Sequence, residues 1–380
     1  MKLVQINLQP HFGGGEVYTA FLCRALSHLG VPTRLLVHPR AGFWEGLGLP
    51  PDTERITVAD QTKLRRHLPT GPLWLLSHGP LPGELRCSTP QTLRTAVAHM
   101  PVQGRDPAAF AAHDRIYAVS CWVRDGLLAA GLPAWNEALY GVADVGPRSE
   151  ISDTHGVRRR SRYDWDRRKS RDRLLGWIEP LTEILRPHPA FARRAGLTLG
   201  IVSRLTPIKQ FPLLFAHLAP VLARLPQVNL EIFGSGGYAS VRDLDQALAA
   251  LPVGQVRFWG QQGNVAAIYR QLDYLLSGLP EKEALGLNII EAQACGTPVI
   301  AVDAPPFTET VRQGETGFLY RDPRQDGGAD FGKLLDELLA GRARPQPELA
   351  QAHLQRFSFA ALVERLRPVV ADAERQTKRE

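Results

Sequence analysis

The sequence predicts an α/β protein built from two doubly wound domains, each a parallel sheet covered by helices on both faces. Short apolar runs alternate with longer helical patterns in the N-terminal half, and a second series of the same kind begins near Leu197. Strands that are separated by helices pair in parallel and are buried on both faces. The 380 residues are enough for two such domains, because one domain takes about 150 residues.

The first series opens with the apolar run Lys2–Leu8, which predicts a strand. Three glycines follow at 13–15, and a helical pattern then runs from Glu16 to about Leu29, where Gly30 ends it. The remaining apolar runs of this half predict further strands at Thr33–Val37, Leu73–Ser77, Thr95–His99 and Arg115–Ser120.

The second series predicts more strands and two clear helices. The helical patterns cover Pro212–Leu225 and Asn288–Cys295, and the stop signal Gly296-Thr297-Pro298 closes the second of them. We expect the domain boundary near 185–195 and a cleft at the carboxyl ends of the strands, where open α/β sheets bind ligands. The predicted strands are Thr198–Ser203, Asn229–Phe233, Gln255–Trp259, Tyr274–Ser277 and Pro298–Val302.

Composition excludes several classes of protein. Hydrophobic residues make up 44% and charged residues 22% of the chain, which is ordinary for a globular protein and unlike a disordered chain, a collagen or a coiled coil. The four cysteines form no C-x-x-C pair, so a zinc ribbon and a thioredoxin-type site are not expected. Because the N-terminus lacks the apolar core of a signal peptide and the uncharged window 67–83 holds four prolines, we expect a soluble, cytoplasmic protein.

One basic segment, 157–173, carries most of the net charge of +7, since nine basic residues there stand against three acids. Three interpretations remain open: a solvated charge run, docking onto anionic lipid or a phosphorylated glycolipid, and nucleic-acid binding, which no recognition motif supports. The interleaved Tyr163 and Trp165, with Trp177 beside them, suit a membrane interface, which is our functional hypothesis. The candidate acceptor or membrane contacts are Glu16, His11, Arg158, Arg159, Arg160 and Trp165.

Three further segments suit a phosphate-bearing ligand. The glycines 13–15 place free backbone amides at a helix start, which favours an anion. Arg204 and Lys209 follow a predicted strand and are suited to a diphosphate. Glu283 and Glu291 flank a glycine-containing loop and can accept sugar hydroxyls. Each segment also has a structural interpretation when taken alone, namely a tight turn, two solvated charges, or a chance pair of glutamates.

Taken together, these segments resemble the GT-B glycosyltransferases, specifically the large retaining group called family 4. The resemblance is strong over about 197–370 and thinner over 1–145. It implies an N-terminal acceptor-side domain over 1–185 with a basic insertion at about 150–180, a nucleotide-sugar domain over 186–355, and a helix over 356–380 that packs back on the N-terminal domain. It rests on Gly14-Gly15, Ser203-Arg204-Leu205 with Lys209, Phe233-Gly234-Ser235-Gly236, Glu283 with Glu291, Cys295-Gly296-Thr297-Pro298-Val299-Ile300-Ala301, Glu309, Gly314-Glu315-Thr316-Gly317-Phe318 and Phe357-Ser358-Phe359.

The resemblance implies transfer of a sugar, with retention, from a UDP- or GDP-linked donor to a cell-surface glycan or glycolipid of the lipopolysaccharide, O-antigen or exopolysaccharide type. No cofactor and no metal are implied beyond the donor itself. Arg204 and Lys209 would bind the diphosphate, Glu291 the ribose hydroxyls and Glu283 the transferred sugar. Further donor contacts would come from Gly14, Gly15, Gly234, Leu285, Gly286 and Leu287, with His99 near the sugar and His78 as a weaker candidate.

The chain departs from the family pattern at Ala284 and Gln210, where glycine is common, and at Pro305-Pro306-Phe307, which stands where a glycine pair is common. These departures concern the sugar and acceptor more than the diphosphate. Two alternatives stay open. One is a GT-B enzyme with a small soluble acceptor such as a sugar phosphate. The other is an inactive nucleotide-binding protein, against which the intact cations and glutamates argue.

Overall fold

The computed structural model describes residues 1–86, 91–102, 105–143, 157–164 and 190–378, with a few positions between 170 and 181. The chain divides into two compact units. The first unit contains Met1–Ala143 and Gln355–Glu380, and the second contains Asp144–Leu354. Both units carry a six-stranded parallel sheet, which confirms the predicted α/β class with two doubly wound domains.

The sheet of the first unit has the strand order β3-β2-β1-β4-β5-β6, which reverses between β1 and β4. The apolar runs give the central strands, whereas the edge strand β3 is polar and largely exposed and therefore escaped sequence prediction. The strands are β1 (Lys2–Asn7), β2 (Thr33–Val37), β3 (Thr53–Thr57), β4 (Leu73–Ser77), β5 (Thr92–Ala98) and β6 (Arg115–Ala118).

Three α-helices of the first unit are α1 (Gly14–His28), α2 (Cys121–Ala129) and the last helix of the chain, α11 (Phe359–Thr377). The last helix packs against α1, and its N-cap residue Ser358 accepts a hydrogen bond from the amide of Ala361 at 3.1 Å. Its buried side chains recur at helical spacing, so one face joins the core of this unit. The C-terminal segment thus belongs to the same compact unit as the N-terminal sheet.

The sheet of the second unit has the order β12-β11-β10-β7-β8-β9, which reverses between β7 and β10. Strands β7, β8 and β11 are buried on both faces, because helices cover both sides of a parallel sheet. The strands are β7 (Leu197–Val202), β8 (Val228–Phe233), β9 (Val256–Gly260), β10 (Tyr274–Leu276), β11 (Val299–Val302) and β12 (Gly317–Tyr320).

The helices of the second unit follow the apolar periodicity of the sequence. The clearest case buries Phe331, Leu334, Leu335 and Leu338 along one stripe of a helix whose charged residues lie outside that stripe. The α-helices are α3 (Phe211–Ala223), α4 (Tyr238–Ala247), α5 (Val265–Tyr269), α6 (Leu287–Ala294), α7 (Phe307–Thr310), α8 (Pro323–Asp326), α9 (Ala329–Leu339) and α10 (Gln351–Gln355).

Residues 157–164 pair within the second unit, although the sequence analysis placed them in an N-terminal domain of 1–185. Arg158 forms an antiparallel bridge with Ala190, and Tyr163 forms a parallel bridge with Gly236. The amide of Arg160 also donates to the carbonyl of Trp259 at 2.9 Å. The backbone of a charged segment makes these hydrogen bonds, so no apolar pattern in the sequence predicts them.

Within the described part of the chain, no helix has the length and apolar character needed to cross a bilayer. The same residues contain no cluster of three or more histidine, cysteine or acidic side chains placed to hold a metal ion.

Candidate functional site

The loops that follow β7, β8 and β10 meet at the carboxyl edge of the second sheet. The amide of Leu205 donates to the carbonyl of Ser235 at 2.8 Å, which joins the first two loops. The side chain of Asn288, in the first turn of α6, donates to the carbonyl of Val202 at 3.2 Å. This edge includes the reversal of strand order between β7 and β10, the position at which open α/β sheets bind ligands.

Glycines allow these loops to approach each other closely. A Cβ atom on Gly234 would lie 1.8 Å from the carbonyl oxygen of Ser203, and one on Gly236 would lie 2.0 Å from that of Leu205. The amide of Gly234 donates to the carbonyl of Gly260 at 2.8 Å and is therefore not free for a phosphate. The structure thus gives Gly234, predicted as a donor contact, a role in loop packing.

Lys209 and Glu283 form an ion pair at this edge. Lys209 ends a short 3-10 turn, Pro207–Lys209, after β7, and Glu283 lies in the loop after β10. The two side chains are only 27% and 18% exposed, so water screens their attraction less than at an open surface. Glu283 also accepts a hydrogen bond from the amide of Ala284 at 3.3 Å. The structure therefore brings together the two residues predicted to meet the diphosphate and the sugar.

Gln210 and Arg204 complete the loop after β7. Gln210 has a positive φ of 54°, which explains why glycine is the residue expected there. Arg204 is exposed, and its guanidinium makes no hydrogen bond or ion pair with any residue that the structure describes. One cation of this loop is thus held by a carboxylate, and the other is available to a ligand.

The N-terminus of α6 offers free amides beside the ion pair. The amides of Leu285, Gly286 and Leu287, together with that of Asn288, donate to no acceptor in the described part of the chain. Gly286 precedes the helix with a φ of +81°, which turns the chain into its first turn. A helix start with unpaired amides favours an anion or an electron-rich oxygen.

Glu291 lies one turn into α6 and is directed into the protein. The hydroxyl of Tyr269 donates to its Oε2 atom at 3.0 Å. Burial raises the pKa of the Glu291 carboxyl to about 7, and the hydrogen bond from Tyr269 opposes part of that rise. Burial, together with the neighbouring Glu291 charge, raises the pKa of Tyr269, which keeps its proton and remains a donor. The carboxyl of Glu291 thus changes charge near neutral pH.

The raised pKa of Glu291 predicts how stability depends on pH. From about pH 4.5, the ordinary value for this carboxyl, to about pH 7 the folded protein binds more protons than the unfolded chain, so its stability falls as pH rises. The variant Glu291→Gln lacks this titration. We therefore expect wild type to lose Tm relative to Glu291→Gln between about pH 5 and about pH 8 in thermal denaturation. The exposed Glu315→Gln serves as control, and parallel profiles of wild type and Glu291→Gln would contradict the assignment.

Residues 160–164 cover the glycine loop after β8, a feature that sequence analysis missed. The amide of Asp164 donates to the carbonyl of Gly236 at 2.8 Å, and the Asp164 carboxylate accepts a hydrogen bond from the Ser235 hydroxyl. The ring of Tyr163 stacks on that of Tyr238 with centroids 5.9 Å apart. Arg158, Arg159 and Arg160 are exposed, as a surface role requires, whereas Trp165 lies outside the described residues.

The first unit holds the other predicted residues at the carboxyl edge of its own sheet. Gly14 and Gly15 begin α1, and their amides have no acceptor in the described part of the chain. His99 follows β5, and a Cβ atom on Gly15 would lie 3.8 Å from its ring. The Nε2 atom of His99 lies 2.9 Å from Nδ1 of His78, which follows β4. His78, the weaker candidate by sequence, is thus the direct neighbour of His99.

The two remaining candidates of the first unit differ in exposure. His11 is exposed, in the loop between β1 and α1. Glu16 is only 5% exposed, and the side-chain amide of Asn7 donates to its Oε1 atom at 3.5 Å. This burial excludes contact of Glu16 with a membrane surface, and its contact with an acceptor stays a prediction. The glycine turn places it on the inner face of α1.

Comparison with known families adds to this geometry. Residues 193–350 match the family model described as glycosyl transferases group 1. The matched region lies within the second unit and is similar to the domain that this model describes. The matched region contains Arg204, Lys209, Glu283 and Glu291, so the site of the second unit lies within this domain.

Curated relatives are D-inositol 3-phosphate glycosyltransferases. That of Rhodococcus erythropolis is 33% identical over 202 residues, which are 48% of this chain and 45% of that protein. That of Salinispora tropica is 26% identical over 415 residues, covering 95% of this chain and 81% of that protein. The chain spans about half the length of the Rhodococcus relatives that it matches.

Solved structures share the fold of this chain. Anabaena Alr3699/HepE in complex with UDP is 17% identical, with a TM-score of 0.68 over 98% of this chain and 100% of that chain. Sucrose-phosphate synthase from Thermosynechococcus elongatus is 18% identical, with a TM-score of 0.62 over 98% of both chains. These similarities establish the two-domain GT-B fold.

Proposed function

We propose that the protein is a retaining, metal-independent hexosyltransferase of family 4 that uses a UDP-linked sugar. The observation that carries the proposal is the grouping of Lys209, Glu283 and the free amides of α6 at the reversal of strand order. Departure of a nucleoside diphosphate develops negative charge, which fixed cations and helix amides stabilise. The complexes of Anabaena Alr3699/HepE with UDP and with UDP-glucose support uridine diphosphate as the nucleotide of the donor.

Each residue of the site has a distinct part in this proposal. Arg204 and Lys209 bind the diphosphate and neutralise the leaving group, which removes the need for a metal. When the diphosphate arrives, Lys209 shares its charge between phosphate and Glu283, and the Glu283 carboxylate accepts hydroxyls of the transferred sugar. Glu291, when ionised, accepts the ribose hydroxyls. In the first unit, His99, Gly14 and Gly15 stay our candidates for substrate contacts.

We further propose that the acceptor is a glycan or glycolipid at the inner face of the cytoplasmic membrane, approached through the segment 157–173. Four apolar side chains at helical positions just beyond this segment are exposed, and Trp177 has the largest exposed fraction, 71%. Their spacing places them along one stripe, which suits the interfacial zone of a bilayer. Each basic residue near an anionic membrane surface strengthens binding to that surface by about 1 kcal/mol. The four residues are Leu174, Trp177, Ile178 and Leu181.

A small phosphorylated polyol in solution is the second candidate acceptor. It is favoured by the names of the curated relatives, which are D-inositol 3-phosphate glycosyltransferases. The same cations that bind a membrane could bind the phosphate of such an acceptor.

Binding and transfer assays test the donor and the acceptor in turn. In a thermal-shift series of UDP, GDP and ADP we expect the largest rise in Tm with UDP, because a ligand at 100 times its Kd adds about 2.7 kcal/mol of stability. Absence of a shift with all three would contradict a nucleotide-sugar enzyme. Sugar transfer from UDP-glucose, followed by mass spectrometry, is then compared for lipid-linked and soluble phosphorylated acceptors.

Vesicle binding separates the two acceptors. We expect the protein to sediment with anionic vesicles and not with zwitterionic ones, and the double variant Trp177→Ser, Leu181→Ser to lose this binding. Leu349→Ser is the matched control, since Leu349 is 73% exposed elsewhere in the second unit. If the protein binds neither kind of vesicle and transfers sugar to a soluble acceptor, the small phosphorylated polyol is favoured as the acceptor.

A further inference from the structure

A chain of polar side chains runs through the first unit from Gln5 to His99. Gln5 lies in β1 and is completely buried, His78 follows β4, and His99 follows β5. The Oε1 atom of Gln5 lies 2.9 Å from Nε2 of His78, and Nδ1 of His78 lies 2.9 Å from Nε2 of His99. The two imidazole rings are nearly parallel, at 17°, with centroids 5.2 Å apart. The three side chains are therefore joined end to end.

Gln5 sets the direction of the hydrogen bonds. Its side-chain amide nitrogen lies 3.5 Å from both Thr33 Oγ1 and Cys23 Sγ, and its carbonyl oxygen faces His78. A carbonyl oxygen only accepts hydrogen bonds, so Nε2 of His78 carries the proton and donates. A neutral imidazole has one ring proton, and Nδ1 of His78 is consequently an acceptor.

The same argument determines which nitrogen of His99 carries the proton. Since Nδ1 of His78 accepts, Nε2 of His99 must carry a proton and donate to it. The hydroxyl of Thr19 lies 3.1 Å from the same Nδ1 atom and can only donate to it. The Thr19 hydroxyl can instead donate to the carbonyl of Gly15. Burial lowers the pKa of His78 well below its usual range and that of His99 to about 4, so both rings are neutral near pH 7.

The second nitrogen of His99 is then an acceptor without a partner. Nδ1 of His99 makes no hydrogen bond with any residue in the described ranges. It faces the start of α1, where a Cβ atom on Gly15 would lie 3.9 Å away. Gly15 places no side chain beside this nitrogen.

We propose that Gln5 and His78 are positioning residues that hold His99 in the tautomer protonated on Nε2, so that its Nδ1 accepts a hydrogen bond from a hydroxyl of the sugar substrate. The identity of that hydroxyl rests on the proposed function, whereas the tautomer depends only on the hydrogen bonds of the first unit. A ring held in the opposite tautomer would present a donor to the same hydroxyl. The chain from Gln5 thus selects between accepting and donating at the substrate.

Nitrogen-15 NMR of histidine-labelled protein tests the tautomer directly. We expect His99 to be protonated on Nε2 and unprotonated on Nδ1 in wild type. Gln5→Met removes the acceptor for His78 and is expected to shift His99 toward the Nδ1-protonated form. Gln5→Glu keeps an acceptor oxygen and is expected to retain the wild-type tautomer. His113, a buried histidine outside the chain of bonds, supplies a control signal that stays unchanged. Protonation of His99 on Nδ1 in wild type, or no change in Gln5→Met, would overturn the inference.

Kinetics with UDP-sugars separate this inference from the proposed function. With Gln5→Met we expect kcat/KM to fall about tenfold, the size of one hydrogen bond, and with Gln5→Glu we expect recovery of most of it. If wild type transfers no sugar but His99 shows the expected tautomer, the proposed function fails and the positioning chain stands. If sugar is transferred with equal kcat/KM by wild type and Gln5→Met, the chain has no role in the reaction.

Discussion

Lys209→Ala is expected to lower kcat/KM for sugar transfer by a factor of about 10² to 10³, because it removes a fixed charge that stabilises the departing diphosphate. The side chain is held in place by Glu283 and is only 27% exposed, so it is preorganised for a ligand at the end of β7. Steady-state kinetics with the UDP-sugar measure the effect. Lys209→Arg keeps the charge and is expected to retain part of the activity, reduced by its different geometry.

The control for Lys209→Ala is Lys333→Ala, which removes an exposed lysine that faces Glu337 at 4.0 Å on α9. This exposed pair contributes little to stability, and its loss is expected to leave kcat/KM unchanged. Far-ultraviolet circular dichroism of both variants is expected to match wild type. Undiminished turnover by Lys209→Ala would remove Lys209 from the diphosphate site and, with it, the main support for the proposed reaction.

Glu231→Gln is expected to destabilise the protein by about 1.5 to 3 kcal/mol, the size of a hydrogen bond to a charged group, because it removes the buried carboxylate that two partly exposed arginines share. Glu231 lies in β8 and is 1% exposed. Its Oε1 atom accepts from Arg194 and Arg257 at 2.9 and 2.6 Å, and its Oε2 atom accepts from the indole of Trp259 at 2.7 Å. These bonds tie the segment before β7 to β8 and β9. Urea denaturation measures the loss.

Glu54→Gln is a matched control for Glu231→Gln. Glu54 in β3 stands opposite Arg34 in β2, as Glu231 in β8 stands opposite Arg257 in β9. The carboxylate of Glu54 is 58% exposed, and exposed pairs contribute about 0 to 1 kcal/mol. Equal losses in the two variants would show that burial does not govern the strength of these pairs.

The apolar pattern of the chain predicted most of the fold. The runs that became β1, β2, β4 and β7 are mostly apolar, as burial on both faces of a parallel sheet requires. Strand β3 was missed because its side chains are largely exposed at the edge of the sheet. Residues 157–164 were assigned to the wrong half for a related reason, since backbone hydrogen bonds rather than apolar side chains attach them to the second unit.

Only those residues of the candidate site were predictable whose type and position after a strand indicate a chemical role. Lys209 and Glu283 were predicted from charged residues that follow strands, and the structure joins them in an ion pair. Glu16 was misplaced because its sequence neighbours give no sign that α1 turns it inward. The sequence gives one sign of the contact between Gln5 and His78, namely a polar residue within a mostly apolar strand. The contact could not be predicted, because the two residues are 73 positions apart.

The sequence by itself determined that the chain forms two parallel α/β sheets and that cations, glutamates and glycine loops follow particular strands, because burial and local backbone freedom act on neighbouring residues. Only the tertiary structure decided which loops meet, that the amide of Gly234 is occupied, that Glu291 is buried enough to titrate near neutral pH, and that His78 contacts His99. Strand order and loop approach set these contacts between residues far apart in the chain, and desolvation depends on everything packed around a group.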